Sequence, residues 1–255
     1  MSYFYDLHCH TIRSSDAPQT LQEIIKTAKK RGLDGVAITD HDEVHREPLR
    51  IDGIDLIPAT EITTKEGDHL LGYFVEEKVK EGLDFKEAFS RVKAQGGFAV
   101  WAHPFRRREY LSDEEKERLL SLDGMEAGNA MDEREGREFA GKLAKEYGLL
   151  QTAGSDAHVC GQVGTGVLKV EERLNRENFI EVVKKGEVIV REEIASYRTS
   201  NIKWKKRIRW LRNALRLDLT RKTKIFFAKL VIRNYLRLNN LRLKKISFNL
   251  KEDRV

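Results

Sequence analysis

Histidines and carboxylates occur together in short motifs of this 255-residue chain. Six of the seven histidines belong to such motifs, and nearly every motif follows an apolar run that predicts a β-strand. Imidazole nitrogens and carboxylate oxygens are ligands that Zn, Mn and Fe accept in proteins. Histidines with unrelated structural roles would not gather at one end of the strands, so the pattern predicts a multinuclear metal site. Its candidate ligands are His8, His10, Asp16, Asp40, His41, Glu61, His69, His103, Asp156 and His158.

The HxH pair near the start of the chain has the spacing of two ligands for one ion. His8 and His10 are two residues apart on a predicted strand, so their side chains point to the same face. Cys9 points to the opposite face, where a small buried thiol is the expected role. Asp156 and His158 repeat the spacing after another predicted strand. Each motif alone is weak evidence, and the prediction depends on the ordered set.

Single ligands are expected at the ends of the intervening strands. His41 follows the strand predicted at 35–39, and Asp40 is expected to orient this histidine or to bind the ion more weakly. Glu61 ends the third strand, where one carboxylate can bridge two ions. His69 begins a strand instead of ending one, but it reaches the same rim if that strand runs antiparallel to the third.

The elements that must position these ligands alternate between strand and helix. Capping boxes at Thr20 with Glu23 and at Ser112 with Glu115 predict the starts of two helices, and Asp84 caps another. The predicted strands cover residues 3–8, 35–39, 54–59, 69–75, 98–102, 124–128, 149–154 and 188–190. The predicted helices cover residues 20–31, two segments starting after 84 and 112, about 135–147 and about 176–185.

Alternating strands and helices predict an α/β domain with mostly parallel strands. Two architectures fit this order, a barrel and an open doubly wound sheet. An open sheet gathers its site at one switch point, whereas the strands of a barrel converge on one mouth. The candidate ligands come from about six strands, which favours a barrel. Because fewer than eight βα units are recognisable, we expect it to be smaller or more distorted than the eightfold form.

The bulk composition is that of a globular protein. The chain has 40% hydrophobic and 35% charged residues, and no apolar run approaches the ~18 residues of a membrane span. The first residues lack the basic and apolar regions of a signal peptide, and two cysteines make no disulfide framework. We therefore expect a cytoplasmic protein.

The charge distribution divides the chain near residues 196–200. Residues 198–255 hold 19 Lys and Arg against 3 Asp and Glu, whereas residues 1–197 hold 28 basic and 38 acidic residues. Such a change in charge is typical of a domain boundary. We therefore expect a metal-binding barrel at 1–197 and a basic, mainly helical C-terminal extension at 198–255.

The basic extension has the pattern of an amphipathic helix. Trp204, Ile208, Leu211 and Leu215 recur at the spacing of one helical face, and Lys and Arg cover the rest. Three roles remain open for residues 200–255. They are binding nucleic acid through its phosphates, contact with an anionic membrane surface, and docking of the apolar face on the acidic barrel or on a second subunit.

Several motifs resemble those of the PHP (polymerase and histidinol phosphatase) family. They are, in the family's order, DLHCHT, ITDHD, Glu61 with HLLGY, WAHP, MEAGN and AGSDAH. The resemblance covers residues 1 to about 190 and leaves out the basic extension. It implies a distorted (β/α)7 TIM-like barrel that holds two or three divalent ions, with Mn, Zn or Fe as candidates.

The resemblance also implies which ligands share an ion. The implied sets are His8, His10, Glu61 and Asp156 for the first ion, Glu61, His69 and His103 for the second, and Asp16, His41 and His158 for the third. Asp16 stands where some members of the family have a histidine.

Clustered divalent ions in an acidic cage suit a metal-dependent phosphoesterase. Asp156 or His158 is expected to manage the proton. Arg106, Arg107 and Asn129 are candidates to bind the substrate phosphate, because the fork of an arginine matches phosphate oxygens. A phosphomonoester, a nucleotide and a short oligonucleotide all present this group, and we favour the nucleotide or short nucleic acid.

Two other functions remain open. The chain could be an accessory PHP module that binds nucleic acid through its basic tail with little or no catalysis, although a complete ligand set is unexpected in an inactive relative. A C–N amidohydrolase shares the opening HxH motif, but it usually relies on a modified lysine where this chain has Glu61.

Overall fold

The structure is a computed structural model that describes residues 1–44, 49–106, 108 and 110–191. Its strands are β1 (Tyr3–Cys9), β2 (Gly35–Ile38), β3 (Arg50–Ile51), β4 (Ile54–Thr63), β5 (His69–Tyr73), β6 (Phe98–Ala102), β7 (Gly124–Asn129), β8 (Leu150–Gly154), β9 (Gly166–Val170) and β10 (Glu187–Val190). Its helices are α1 (Leu21–Lys30), α2 (Phe85–Ala94), α3 (Asp113–Leu119), α4 (Arg134–Glu146) and α5 (Phe179–Lys184). The predicted basic extension lies outside the described residues.

The strands form one sheet in the order β10-β9-β1-β2-β4-β5-β6-β7-β8, with β3 paired to β4. Strands β1, β2 and β4 run parallel, as do β6, β7 and β8, whereas β5 is antiparallel to both of its neighbours. Beyond β8, Ala157 pairs with Cys9, and its carbonyl accepts a hydrogen bond of 3.0 Å from the His10 N–H. The sheet is therefore nearly closed, and the predicted distorted α/β barrel is confirmed.

A buried carboxylate holds the closing strands together. Asp6 of β1 accepts hydrogen bonds from the Ser155 N–H at 2.8 Å, the Ser155 hydroxyl at 2.6 Å and the Gly164 N–H at 2.6 Å. Its side chain is fully buried, and burial raises the pKa of its carboxyl. A buried carboxylate needs such donors to offset the loss of hydration, so Asp6 joins β1 to the loops after β8.

The helices cover the outside of the sheet with the apolar stripes that their sequences predict. In α1, Leu21, Ile24, Ile25 and Ala28 are buried and pack on β1, β2 and β4. Side chains of α2, α3 and α4 pack on β5, β6 and β7 in a second cluster. A third cluster contains Tyr5, Leu7, Leu71, Tyr73 and Phe179. None of the helices in the described part of the chain is long and apolar enough to cross a membrane.

The predicted helix starts are confirmed with one difference. Both capping boxes form, at Thr20 and at Ser112, and the Asp84 side chain caps α2. The last helix was expected from about residue 176 but begins at 179. Asn175 and Asn178 exchange side-chain to backbone hydrogen bonds of 2.9 Å, and these bonds close a turn before the helix. Strands β3 and β9 have no counterpart among the predicted elements.

Candidate metal centre

The carboxyl ends of β1, β2, β4, β6 and β8 and the start of β5 bring nine of the ten predicted ligands together. These nine side chains form four overlapping groups, and within each group the ligand atoms lie within 4.8 Å of one another. The groups are His10, Asp16, His41 and His158; His8, His10 and Asp156; His8, Glu61 and His103; and His41, Glu61 and His69. The antiparallel pairing of β4 with β5 places His69 on the rim of Glu61, as expected.

Glu61 lies at the centre and faces histidines with both oxygens. Its Oε1 is 2.7 Å from His69 Nδ1 and 2.9 Å from His103 Nε2. Its Oε2 is 3.2 Å from His10 Nε2 and 3.4 Å from His8 Nε2. Burial raises the pKa of the Glu61 carboxyl, but the surrounding histidines outweigh burial and hold the pKa well below its usual range. The side chain is therefore an ionised carboxylate that joins two sets of imidazoles.

The HxH pair and Asp156 form a buried part of the cluster. His8 and His10 present their Nε2 atoms to each other at 3.2 Å, and His10 Nε2 lies 3.2 Å from Asp156 Oδ1. Burial lowers the pKa of His10, but hydrogen bonds with Asp156 and Glu61 outweigh it and raise the pKa to about 9. Cys9 lies on the opposite face, as predicted, and packs with residues of α1.

Backbone strain accompanies two of the strand ends. The φ angles of His103 and Asp156 are +32° and +50°, in the left-handed region that non-glycine residues rarely adopt. Such conformations cost about 1–3 kcal/mol each and persist where surrounding contacts enforce them. At both positions the turn directs the side chain towards the cluster, where His103 and Asp156 meet Glu61 and His10.

The donor atoms of this cluster fit metal ions. The Nδ1 atom of His158 is 2.9 Å from the backbone oxygen of Asp156, which can only accept, so Nδ1 carries the proton. The unprotonated Nε2 atom then faces Asp16 Oδ2 at 3.0 Å. Two acceptors at this distance repel each other unless a cation or an added proton lies between them. His41 Nδ1 is likewise buried without a hydrogen-bond partner, although Glu61 Oε2 is 3.2 Å away.

Asp40 is the predicted ligand that the structure does not bring into the four groups. Its carboxylate accepts hydrogen bonds from the backbone N–H and hydroxyl of Thr11 and from the Ser14 N–H. The Ser14 hydroxyl in turn accepts from the His41 N–H at 2.9 Å. Asp40 therefore orders the loop that carries Asp16, whereas a direct orienting contact of Asp40 with the His41 ring stays a prediction.

Arg106 lies at the mouth of the cluster and is held by three side chains. Its Nη1 is 2.7 Å from Asp156 Oδ2, its Nε donates to Asp132 at 2.7 Å, and its Nη2 donates to Asn129 Oδ1 at 2.8 Å. The guanidinium lines a small cavity of about 80 Å³ above the histidines. Asn129 is fully buried behind it. Arg107, the other predicted phosphate ligand, lies outside the described residues.

Glu126 is a buried carboxylate that the sequence reasoning did not single out. It lies in β7, where every residue is buried, and its Oε1 is 2.9 Å from His8 Nδ1. Its Oε2 accepts hydrogen bonds of 2.9 Å from the His103 N–H and from Asn129 Nδ2. The available signal was the acid itself, because a charged residue inside an apolar strand needs a partner.

Comparison with known sequences identifies relatives of this chain. A family model described as PHP-associated matches residues 135–188. The uncharacterized protein MJ1587 of Methanocaldococcus jannaschii is 33% identical over 141 residues, which are 49% of this chain and 81% of that protein. A probable phosphatase of Caldicellulosiruptor saccharolyticus is 53% identical over 36 residues, 14% of this chain and 15% of the relative.

Solved structures share the fold. A two-domain protein from Bacteroides vulgatus that contains a predicted PHP-like metal-dependent phosphoesterase superposes with a TM-score of 0.59 and 20% identity, over 74% of this chain and 65% of that one. Endonuclease Q, in complex with a 27-mer duplex that has an abasic lesion at the active site, superposes with a TM-score of 0.56 and 17% identity, over 74% and 58%. The family model and the sequence relatives, together with the order of the motifs, show that the chain belongs to the PHP domain family.

Proposed function

We propose that this protein is a metal-dependent hydrolase of phosphate esters with a bi- or trinuclear centre at the mouth of the barrel. The observation that supports the proposal best is the position of Glu61, whose two oxygens face different histidines within 2.7–3.4 Å. A carboxylate that offers one oxygen to each side can bridge two neighbouring divalent ions. The probable phosphatases and the PHP-like phosphoesterase among the related proteins support the same activity.

We assign the nine side chains to three ligand sets, the first two of which share Glu61. In the proposal they are His8, His10, Glu61 and Asp156; Glu61, His69 and His103; and Asp16, His41 and His158, with Mn, Zn or Fe as candidate ions. Divalent ions bound in such a site polarise phosphoryl oxygens and lower the pKa of a water molecule. Glu61 belongs to both the first and the second set and would keep their ions close together. Since a side chain that binds an ion cannot accept a proton at the same time, Asp156 and His158 are assigned to metal binding.

The cavity above the cluster suggests how the substrate lies. Its volume of about 80 Å³ suits a phosphoryl group better than a whole nucleotide. Arg106 contributes a guanidinium to the wall, where its charge and fork can bind phosphoryl oxygens. We therefore propose a terminal phosphate as the reacting group, in a phosphomonoester, a nucleotide or the end of a short oligonucleotide.

Replacement of Glu61 tests the proposal. The Glu61→Gln protein keeps the shape of the side chain but loses the charge that two ions share, so we expect loss of phosphate release from phosphomonoesters, with the circular dichroism spectrum retained. His10→Ala should behave in the same way. The matched control is Glu138→Gln, because Glu138 is exposed on α4 and pairs with Arg134. Normal turnover by purified Glu61→Gln protein loaded with manganese or zinc would contradict the proposal.

The composition of residues 198–255 supports a second candidate function, nucleic-acid binding by an accessory module. These residues hold 19 basic and 3 acidic side chains, and a polybasic segment binds phosphates in a salt-dependent way. Deletion of residues 200–255 separates the roles. A nucleic-acid role predicts loss of a salt-sensitive electrophoretic shift with phosphatase activity unchanged. A lower melting temperature with no change in the shift would instead indicate that the tail docks on the protein.

A further inference from the structure

We infer that Glu126 is a positioning residue that fixes the proton of His8 on Nδ1 and thereby directs the lone pair of His8 Nε2 into the metal centre. The inference rests on the proposed metal site and adds a residue that lies outside its ligand sets. Glu126 is 1% exposed, so water does not compete for its oxygens.

Groups that donate hydrogen bonds surround the Glu126 carboxylate. Its Oε2 faces the His103 N–H and Asn129 Nδ2, each at 2.9 Å. The orientation of the Asn129 amide is itself determined, because its Oδ1 accepts from Arg106 Nη2 and from the Met131 N–H at 2.8 Å. Arginine and backbone N–H groups only donate, so Asn129 must turn its NH₂ towards Glu126.

The remaining oxygen determines the tautomer of His8. Oε1 of Glu126 lies 2.9 Å from His8 Nδ1, and a carboxylate in this position requires a proton on that nitrogen. The lone pair of His8 is then on Nε2, which lies 3.2 Å from His10 Nε2 and 3.4 Å from Glu61 Oε2. His10 lacks such a constraint, because its Nδ1 faces the Ser14 hydroxyl, which can donate or accept.

The same carboxylate also holds a second ligand in place. His103 has a φ of +32°, and its N–H donates to Glu126 Oε2. In this conformation His103 Nε2 lies 2.9 Å from Glu61 Oε1. One side chain on β7 therefore positions imidazoles that come from β1 and from the end of β6, on two sides of Glu61.

An amide at position 126 cannot satisfy this arrangement. If the NH₂ group of Glu126→Gln faces His8, Nδ1 must accept, and the proton moves to Nε2, where it blocks the metal. If the NH₂ group faces the other way, it opposes the donors of His103 and Asn129. We expect the amide to face His8, because that choice creates one conflict instead of two.

The experiment measures the tautomer of His8 and the metal affinity separately. Long-range ¹H–¹⁵N correlation spectra of ¹⁵N-histidine protein, with His8 assigned from His8→Gln, should show the proton of His8 on Nδ1 in the zinc-loaded wild type. In metal-free protein, burial lowers the pKa of His8, but Glu126 and Glu61 outweigh it and raise the pKa well above its usual value, so the spectra are recorded at a pH high enough for the ring to be neutral. There we expect Nδ1–H in the wild type and Nε2–H in Glu126→Gln. Zinc affinity, from competition with a chromophoric chelator, should fall about 10–100-fold in Glu126→Gln.

Controls separate positioning from general damage. Glu138→Gln should bind zinc like the wild type, and Glu126→Asp should recover part of the affinity because it keeps an anionic acceptor. Melting curves of the metal-free proteins report whether each variant folds. An unchanged His8 tautomer in folded Glu126→Gln protein would overturn the inference. A wild-type protein that shows the expected tautomers but binds no zinc would contradict the proposed metal centre and leave the inference on the His8 tautomer standing.

Discussion

A Cβ atom on Gly154 would lie 2.3 Å from the Cβ of His8. Strand β8 therefore approaches β1 at the metal centre more closely than any side chain at position 154 would permit. This contact lies where the barrel closes, next to the hydrogen bonds of Asp6 with the residues after β8. The glycine lets Asp156, two residues later, reach the HxH pair.

Replacement of Gly154 by alanine should therefore damage both the fold and the site. Overpacking of a buried site costs about 1–3 kcal/mol, and the added methyl group would push His8 away from Glu61. We expect a lower melting temperature of the metal-free protein together with weaker zinc binding. The matched control is Gly136→Ala in α4, where a Cβ would lie 3.4 Å from Phe105 Cβ, an ordinary contact. If Gly154→Ala and Gly136→Ala changed the melting temperature and the zinc affinity equally, the close contact of Gly154 with His8 would not be what stabilises the site.

Metal affinity should rise with pH because protons and ions compete for the same imidazole lone pairs. Hydrogen bonds to Asp156 and Glu61 raise the pKa of His10 to about 9 in spite of burial, so at neutral pH the metal-free residue holds a proton that an ion must displace. Below pH 9 each displaced proton makes the affinity rise about tenfold per pH unit. His103 should not contribute, since burial and Arg106 lower its pKa to about 4.

Titrations of zinc or manganese between pH 6 and pH 10, in buffers of different ionisation enthalpy, measure both the affinity and the number of protons released. We expect the contribution of His10 to proton release to decline as the pH passes 9. The same titrations with His10→Gln should show a smaller slope. An affinity independent of pH across this range would contradict the competition.

Asp16 should control one ion without affecting the others. Its carboxylate lies 3.0 Å from His158 Nε2 and 3.6 Å from His41 Nε2, the two histidines of the third ligand set. His158 holds the pKa of the Asp16 carboxyl well below its usual range although burial raises it, so the side chain is anionic. Asp16→Asn should lower the number of bound ions by one, as measured by elemental analysis after dialysis. Loss of all ions would show that the three ligand sets are not separable.

The sequence was sufficient to predict that nine of the candidate side chains converge, because period-two spacing and strand ends determine where side chains meet. His69 was expected to reach the rim of Glu61 only if its strand ran antiparallel to the third strand, and the structure meets this condition. The sequence did not predict the roles of Glu126 and Asp6, because their partners are distant in sequence and no spacing rule connects them. Asp40 was counted among the ligands since adjacency to His41 does not reveal that its oxygens turn to Thr11.

Helix α5 begins at Phe179, later than predicted, because of a local turn. The sequence predicts the start of this helix at about residue 176, but Asn175 and Asn178 close a local turn through their side chains. Side-chain to backbone bonds of this kind compete with helix formation, and the sequence alone does not reveal which of the two wins.

Arg106 should determine substrate affinity more than metal affinity. The guanidinium lines the cavity above the histidines while Asp132 and Asn129 hold its Nε and Nη2 atoms in a fixed plane. Lysine at this position keeps the charge but cannot make these contacts and still present a donor to a phosphate. We expect Arg106→Lys to raise the KM for a phosphomonoester about tenfold, the order of one charged hydrogen bond, with a smaller change in kcat.

The control for this substitution is Arg134→Lys, because Arg134 is exposed on α4 and pairs with Glu138. Steady-state kinetics at saturating metal, together with the zinc affinity of each variant, separate the two roles of Arg106. Because Arg106 also contacts Asp156, we expect Arg106→Lys to lower the zinc affinity as well. This fall should be smaller than the fall in substrate affinity, because Asp156 keeps its contact with His10. If Arg106→Lys lost the metal and kept its KM, the arginine would serve to orient Asp156 and another group would have to bind the phosphate.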